Sequence, residues 1–279
     1  MATRVLAVAN QKGGVGKTTT VINLSACLAE LGKTVLVIDL DPQANATSGL
    51  GLPRQKDTSL YRVLLRERSL DGLIQETVVE GVHIIPSELD LAGAEIDVAR
   101  MEGYLHCLNM AMAPLIRSNA YEFIIIDCPP SLGILTMNAL TAAQGLLLPI
   151  QCEYYALEGL SVITHIMQQL REGRANPNIE IEGIVMTMFD ARTRLASEVV
   201  NEVRTHFGER VYKTVIPRNV RLSEAPSFGK PVIMYDSRCT GSIAYRALAQ
   251  EVVERVDHPL PKQNPESGEF DQSEDLSEV

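Results

Sequence analysis

Residues 12–19 read Lys12-Gly13-Gly14-Val15-Gly16-Lys17-Thr18-Thr19, and this stretch decides the fold of the chain. It follows an apolar run, Val5–Ala9, and it opens an amphipathic segment, Thr18–Leu31. A glycine loop between a strand and a helix is typical of a phosphate-binding loop, because glycines let backbone N–H groups turn toward a polyanion. The start of the helix adds unpaired N–H donors and the positive end of its dipole. The pattern therefore predicts a strand, a phosphate-binding loop and a helix, in that order.

The cations of this loop point to a nucleotide. In such loops the lysine at the place of Lys17 reaches the β and γ phosphates, and the hydroxyl at the place of Thr18 ligates Mg²⁺. The usual pattern, G-x-x-x-x-G-K-[ST], has a glycine where this chain has Gln11, and an extra cation, Lys12, stands at the front of the loop. The expected nucleotide-binding residues of the loop are Lys12, Gly13, Gly14, Val15, Gly16, Lys17, Thr18 and Thr19.

Three aspartates follow predicted buried strands. Asp39 and Asp41 end the second strand, and Asp127 follows the apolar run 123–126. Ligands of doubly wound sheets bind at the carboxyl ends of strands, and an aspartate after a hydrophobic strand commonly holds Mg²⁺. The alternative is that these residues only end strands, since Asp-Pro is a common start of a turn. The adjacent phosphate-binding loop favours a functional role, with Thr18, Asp39 and Asp127 at the metal.

Alternating apolar runs and helical periodicity predict an α/β fold: a doubly wound, mostly parallel sheet flanked by helices. We expect one domain over residues 1–256 and an acidic, disordered tail over residues 257–279, where Pro, Ser, Glu and Asp dominate. A final helix is expected over Ile243–Val256, capped near Ser242. The predicted strands are Val5–Ala9, Thr34–Ile38, Val82–Pro86, Phe123–Asp127, Gly145–Ile150, Glu182–Met188 and Val211–Ile216.

Composition narrows the classes of function. No apolar run reaches the ~18–20 residues of a membrane span, and the five cysteines are scattered, as expected of reduced thiols in a cytosolic protein. The net charge of −10 at first argues against nucleic acid. The charge is uneven, however: residues 257–279 hold seven acids and one base, whereas residues 190–246 hold ten bases and six acids. Any binding of nucleic acid is therefore expected to be local and sensitive to salt.

The motifs together resemble the deviant Walker A ATPases of the ParA/MinD superfamily, and within it the ParA/Soj partition branch. The resemblance covers roughly residues 1–256, in order. Its stretches are Asn10–Thr18, Val37–Gln43, Ile126–Ser131, Glu153–Gly159 and Pro217–Pro226.

This resemblance implies roles for single residues. ATP and Mg²⁺ are the implied cofactors, and Lys12, Lys17 and Asp41 are the implied catalytic set. Asp41 would orient the attacking water. Lys12 would cross the interface of an ATP-sandwich homodimer to the partner's phosphates, and Gly13 would lie where the two subunits approach most closely. Asp190, Pro217 and Asn219 would surround the adenine and ribose, although ordinary loop positions explain these three residues as well.

The resemblance also implies binding of double-stranded DNA without sequence preference. A solvated charged face is the usual explanation for scattered cations, but arginines in these segments contact DNA in ParA-type proteins, and Arg192 and Arg221 match best by position. No sequence motif indicates a helix or ribbon for base-specific readout, so phosphate contact is the expected mode of DNA binding. The expected DNA-binding residues are Arg192, Arg194, Arg218, Arg221 and Lys230.

The resulting hypothesis is a cytoplasmic, nucleoid-associated partition ATPase of slow turnover, stimulated by a ParB-like centromere-binding protein. A positioner of another cargo and a regulator of replication remain equally compatible with the chain. A MinD-like membrane regulator needs a basic amphipathic C-terminus, whereas this C-terminus is acidic, so no membrane partner is expected. A metabolic P-loop enzyme is the fourth alternative, and it lacks visible substrate residues.

Overall fold

The computed structural model describes residues 2–153 and 156–261, and its framework is a twisted sheet built from the predicted apolar runs. Within these residues the sheet has eight strands in the order β3-β4-β2-β5-β1-β6-β7-β8. Every pairing is parallel except that of β3 with β4. The strands are β1 (Arg4–Val8), β2 (Val35–Asp39), β3 (Gln75–Glu76), β4 (Val82–Ile85), β5 (Phe123–Asp127), β6 (Gly145–Gln151), β7 (Glu180–Phe189) and β8 (Val211–Pro217).

Helices cover both faces of the sheet. The α-helices are α1 (Lys17–Glu30), α2 (Asn45–Gly49), α3 (Tyr61–Leu64), α4 (Ala94–Asp97), α5 (Cys107–Ser118), α6 (Ile134–Ala142), α7 (Ala156–Glu172), α8 (Arg194–Phe207), α9 (Val220–Glu224), α10 (Val232–Tyr235) and α11 (Thr240–Asp257). Short 3₁₀ helices occupy Leu89–Gly93, Val98–Arg100, Tyr104–His106, Gly208–Arg210 and Ala225–Phe228. In the described part of the chain, no helix is long and apolar enough to cross a membrane.

The core forms two layers because side chains of a strand alternate between the faces of the sheet. In β1, for example, Val5 and Ala7 pack into one layer, while Leu6 and Val8 pack into the other. Both layers are buried, which is why the strands read as continuous apolar runs rather than as alternating ones. The predicted doubly wound α/β class is confirmed.

The boundaries differ from the prediction at several places. The antiparallel edge strand β3 was not predicted, since Gln75–Glu76 is polar and only two residues long. Helix α11 starts three residues earlier than expected, because the cap is the sulfur of Cys239, which accepts a hydrogen bond from the Ser242 N–H.

The end of the described chain contacts the 3₁₀ helix that precedes β8. Helix α11 includes Asp257, and the carbonyl oxygen of Pro261 accepts a hydrogen bond from Arg210 at 2.6 Å. The chain thus stays attached five residues beyond the expected boundary at residue 256. The rest of the predicted acidic tail, residues 262–279, lies outside the described residues.

Candidate functional site

The glycine loop lies between β1 and α1, at the carboxyl edge of the sheet. Strand β1 is the topological switch point, because β5 pairs on one side of it and β6 on the other. Side chains from neighbouring strands hold the loop. Asn10 donates to the carbonyl of Pro149 at 2.8 Å and accepts from the Lys12 N–H at 3.0 Å, and the Thr187 hydroxyl donates to the carbonyl of Val15 at 2.8 Å. Doubly wound sheets bind their ligands at this place.

Two glycines of the loop have backbone conformations that favour glycine. Gly14 has φ of 76° and Gly16, the N-cap of α1, has φ of 92°. Gly13 differs, since its φ is not in the left-handed region and a Cβ built on it meets nothing within 4 Å. The fold of a single subunit therefore explains Gly14 and Gly16 but gives no reason for glycine at position 13.

Lys17 lies inside the loop. Its side chain is buried, and Nζ donates to the carbonyl oxygen of Lys12 at 3.0 Å, which brings the ammonium group over the loop. Burial lowers the pKa of Lys17, while Asp127, Cys128 and Asp41 oppose this shift. A cation drawn out of water in this way is poised to bind a polyanion.

Asp39 and Asp41 form a bonded unit at the end of β2. Oδ1 of Asp39 accepts from the Asp41 N–H at 3.1 Å, and Oδ2 accepts from the N–H and hydroxyl of Thr47 at 2.9 and 2.7 Å. Asp41 in turn accepts from the Gln43 N–H at 2.9 Å. The fully buried Asp39 carboxylate thus fixes the segment that presents Asp41, and burial raises its pKa to about 6.

Asp127 is the carboxylate best suited to a cation. It lies in register with Asp39 across β2 and β5, and it is fully buried. Neither of its oxygens accepts a hydrogen bond of ordinary geometry in the described structure, although the Thr18 side chain lies close enough to oppose the rise of its pKa. Burial raises the pKa of Asp127 well above its ordinary range, and the charge of Asp39 adds to this shift. A buried carboxylate without partners fits a bound divalent ion, whose charge would stabilise it.

The described residues contain no cluster of three or more acidic, His or Cys side chains that could hold a metal alone. This arrangement suits Mg²⁺, which usually keeps several waters and binds one or two protein groups together with substrate phosphates. Asp127 and the half-exposed Thr18 hydroxyl fit such a shell. The hydrogen bonds to both oxygens of Asp39 indicate that this residue stabilises the local backbone. Its role at the metal stays a prediction.

Lys12 lies at the surface, away from the buried position of Lys17. Its Nζ pairs with Oε2 of Glu153 at 2.8 Å, and the two side chains are 43% and 49% exposed. Glu153 had no role in the sequence-based prediction, and spacing alone could not reveal it, because the two residues are far apart in the chain. Of the rest of its motif, Tyr154 and Tyr155 lie outside the described residues, and residues 156–159 belong to the first turn of α7.

The residues expected around the base have other contacts in this structure. Both oxygens of Asp190 accept from the Arg192 guanidinium, at 2.8 and 2.6 Å, and this hydrogen bonding holds the pKa of Asp190 well below its usual range. Asn219 caps α9 by accepting from the Arg221 N–H at 2.8 Å, and Pro217 ends β8. They lie at the carboxyl edge of the sheet, as the prediction requires, but their part in nucleotide binding stays a prediction.

A cavity of ≈ 400 Å³ lies beside α1 and was not predicted. Its walls include Thr18, Thr19, Asn45, Ser48, Pro226 and Ser227. The sequence contains only a weak indication of this cavity, because its lining residues come from three segments that are distant in the chain.

The five cations expected to bind DNA are all exposed. Arg192 and Arg218 follow the carboxyl ends of β7 and β8, and Arg194 and Arg221 lie in the first turns of α8 and α9. Three of them pair with acids: Arg192 with Asp190, Arg194 with Glu198, and Arg221 with Glu224 and Asp236. The set lies toward the edge of the sheet that bears the glycine loop.

The fold and this site define an α/β P-loop protein, in which a buried carboxylate beside the loop fits a divalent ion. A family model described as an AAA domain matches residues 3–181. The chain is 50% identical over 253 residues to the chromosome partitioning protein ParA of Caulobacter vibrioides, which covers 90% of this chain and 94% of that protein. It is 49% identical over 253 residues to the chromosome-partitioning ATPase Soj of Thermus thermophilus, with 91% and 96% covered. The chain belongs to the ParA/Soj family of chromosome partitioning proteins.

Solved structures support the fold. A cobyrinic acid a,c-diamide synthase from Mycobacterium smegmatis, with bound ADP and magnesium, matches with a TM-score of 0.80 and 36% identity, covering 94% of this chain and all of that one. The same protein with an ATP analogue and magnesium matches at 0.80 and 35%. The family model and the sequence relatives confirm the predicted family membership.

Proposed function

We propose that this chain is an ATP-hydrolysing partition switch whose ATP-bound form is a sandwich dimer. The observation that supports it most directly is the different placement of the two lysines. Lys17 is buried over its own loop, whereas Lys12 is half exposed at the subunit surface beside Glu153. A surface cation at the mouth of a phosphate site can serve a second subunit's nucleotide, as an arginine finger does when supplied in trans. The open space around Gly13 agrees with this proposal, since the constraint would come from the second subunit.

Within one subunit the roles follow from position. The loop N–H groups and Lys17 bind the phosphates of ATP. Thr18 and Asp127 would hold Mg²⁺, which would supply positive charge to neutralise the phosphates. Asp41 orients the water that attacks the γ phosphate, because the Asp39–Thr47 contacts fix the segment that presents it. Asp190, Pro217 and Asn219 lie toward the base.

Dimerisation would couple ATP to DNA. Two copies of the exposed set Arg192, Arg194, Arg218, Arg221 and Lys230 contact backbone phosphates, and pairing roughly doubles the number of contacts. Hydrolysis removes the γ phosphate that both subunits contact. The dimer then separates, and the protein leaves DNA. A ParB-like partner accelerates a slow intrinsic hydrolysis.

The test is Asp41→Ala, compared with Asp41→Asn. Both variants remove the negative charge, but Asn keeps an oxygen for the Gln43 N–H and so retains the local turn. We expect both to bind Mg-ATP and DNA, to lose hydrolysis, and to remain dimeric in ATP by light scattering. Lone protomers of both variants in saturating Mg-ATP would contradict the sandwich dimer.

A second candidate is an ATP-dependent amide-forming enzyme, which the name of the structural relative from M. smegmatis favours. Such an enzyme would turn over ATP rapidly with a carboxylic acid substrate and would not respond to DNA. Measuring ATPase activity with DNA, and separately with candidate acids, distinguishes the two functions.

A further inference from the structure

Asn23 is a polar residue in the middle of α1, and it is only 3% exposed. Asparagine is unfavourable inside a helix, because its side chain competes for the hydrogen bonds of the backbone. Both ends of the Asn23 amide are used here. Nδ2 donates to the carbonyl oxygen of Thr19 at 2.7 Å, and Oδ1 accepts from the Val232 N–H at 2.7 Å. The side chain thus joins the start of α1 to a segment near the other end of the chain.

Val232 depends on this bond from another helix. It is the first residue of α10, and it is fully buried. The residue before it, Pro231, has no side-chain acceptor that could cap the helix. A buried N–H without a partner is costly, so Asn23 supplies the acceptor that the local sequence lacks. The start of α10 is therefore fixed to α1.

The segment that Asn23 fixes carries one of the cations expected to bind DNA. Lys230 is exposed and lies two residues before Val232. Gly229, directly before Lys230, has φ of 61° and packs on the turn after α2, where a Cβ built on it would lie 3.2 Å from Cα of Gly51. The backbone on both sides of Lys230 is thus held, whereas its side chain remains exposed to solvent.

The other bond of Asn23 reaches the phosphate-binding stretch. Thr19 is the last residue of that stretch and lies in the first turn of α1, together with Lys17 and Thr18. The amide of Asn23 is a rigid planar group. A shift of the Thr19 carbonyl therefore also moves the oxygen that accepts from the Val232 N–H.

We propose that Asn23 is a positioning residue that couples the phosphate-binding loop to Lys230. Mg-ATP orders the first turn of α1, this turn sets the Asn23 amide, and the amide sets the start of α10 and the backbone of Lys230. A cation on an ordered backbone loses less conformational entropy when it contacts DNA, so this ordering raises DNA affinity. The inference rests on the proposed function, because that function gives Lys230 its contact with DNA.

The test variant is Asn23→Leu, because leucine has nearly the shape of asparagine but forms no side-chain hydrogen bond. Asn138→Leu is the matched control. Asn138 is also a buried residue inside a helix, α6, where Nδ2 donates to the carbonyl of Ile134 at 3.0 Å and Oδ1 accepts from the Leu108 N–H at 3.1 Å. Both substitutions remove the same kinds of bonds. A general loss of stability should therefore appear in both, and thermal unfolding measures it.

Hydrogen exchange tests the coupling without DNA. In the unmodified protein and in Asn138→Leu, Mg-ATP should slow the exchange of the amides in residues 229–235 several-fold. In Asn23→Leu these amides should exchange at the same rate with and without Mg-ATP, while the glycine loop remains protected by the nucleotide. Equal slowing in the two variants would overturn the proposal. So would an unmodified protein whose residues 229–235 do not respond to Mg-ATP, and this measurement requires no variant to fold.

A double-mutant cycle tests whether Asn23 acts through Lys230. DNA affinity in Mg-ATP is compared among the unmodified protein, Asn23→Leu, Lys230→Ala and the variant with both changes. We expect each single change to weaken DNA binding several-fold, and the double variant to bind like Lys230→Ala. Losses that multiply in the double variant, or an equal loss in Asn138→Leu, would refute the route through Lys230. If none of these proteins bound DNA, the proposed function would fail, and the exchange measurement would still decide the coupling.

Discussion

Some residues of the loop are explained by the fold of one subunit, and others are explained only by contact with a second subunit. Gly14 and Gly16 have positive φ, which a side chain tolerates poorly, while Gly13 has open space around it. A requirement for glycine at position 13 therefore points outside the subunit. The same comparison applies to the lysines, since Lys17 is buried in the loop and Lys12 is at the surface.

The first prediction concerns Gly13→Val. Because a Cβ at this position meets nothing, the free energy of unfolding should change by less than about 0.5 kcal/mol, and ATP affinity should stay the same. The branched side chain should prevent the close approach of two subunits, so the protein should remain monomeric in Mg-ATP. Light scattering and denaturant unfolding check the two parts.

Gly14→Val is the matched control. A β-branched residue at φ of 76° is strained, so this variant should lose stability by about 1–2 kcal/mol and lose nucleotide affinity. Dimerisation of Gly13→Val in ATP would show that position 13 lies away from the interface.

The second prediction concerns the unpartnered carboxylate of Asp127. Asp127→Asn removes a buried charge without hydrogen-bond partners, so the nucleotide-free protein should gain about 1–3 kcal/mol in free energy of unfolding at pH 7. The added stability that Mg-ATP gives the unmodified protein should largely disappear. Urea unfolding with and without Mg-ATP measures both quantities. A loss of stability in the nucleotide-free variant would mean that Asp127 has partners in solution.

At the scale of elements, the side chain of a helix accepts hydrogen bonds from N–H groups of an edge strand. Strand β8 is an edge strand, and Glu251 of α11 accepts from the N–H of Lys213 at 2.8 Å and from the N–H and hydroxyl of Thr214. An edge strand whose N–H groups are occupied is less able to pair with another chain.

The third prediction follows from these contacts. Glu251→Ala should lower the free energy of unfolding by about 2 kcal/mol, because hydrogen bonds to a charged acceptor are lost. Glu254→Ala, an exposed position of the same helix, should change it by less than about 0.5 kcal/mol. Thermal unfolding of the two variants makes the comparison, and equal melting temperatures would contradict the role of Glu251.

The fourth prediction is a dependence on pH at the contact between α1 and α11. Glu30 accepts from Nε and Nη2 of Arg246 at 2.5 and 2.9 Å, and this hydrogen bonding lowers the pKa of Glu30. A carboxylate with a lowered pKa stabilises the fold above its unfolded pKa of about 4.3, and this contribution is lost as the pH falls through the folded value. Both side chains are partly exposed, so the contribution should be under about 1 kcal/mol.

Glu30→Gln should therefore melt below the unmodified protein at pH 7, and this difference should shrink as the pH falls below the unfolded pKa of about 4.3. A difference that is as large at pH 3 as at pH 7 would show that packing, rather than charge, stabilises this contact.

Sequence patterns predicted the long buried elements well, because apolar runs of five or more residues are stabilised by burial in the core. The same patterns could not predict β3, because its pairing with β4 depends on tertiary structure, or the Cys239 cap, because cysteine is not among the residues that usually cap a helix. At the site, the glycine loop and Asp127 follow from local context. The pairing of Lys12 with Glu153 and the bonds of Asp39 to Thr47 join residues that are apart in the chain. The ion pair of Asp190 with Arg192 is local, but a search for nucleotide-binding residues does not look for it.

At the scale of the whole molecule, the distribution of charge matters more for the proposed DNA binding than the net charge does. The chain has a net charge of −10, yet exposed cations gather toward the edge of the sheet that bears the glycine loop. Under the proposed function, a protein with this distribution of charge would bind DNA only when enough cations face the same duplex, so dimerisation in ATP would control binding.

The fifth prediction measures this arrangement through salt. Each phosphate contact contributes about 0.9 to the slope of log K against log salt, so removing one arginine from each subunit of a dimer should reduce the slope by about 1.8. Arg221→Ala should show this reduction in Mg-ATP and weaken binding to all DNA sequences alike. Arg117→Ala is the matched control, because this exposed arginine lies in the last turn of α5, which leads into the opposite edge of the sheet. An unchanged slope for Arg221→Ala, with ATP-dependent binding intact, would place the DNA on another face. A reduction of only about 0.9 would mean that a single subunit contacts the duplex, so the size of the change reports how many subunits bind.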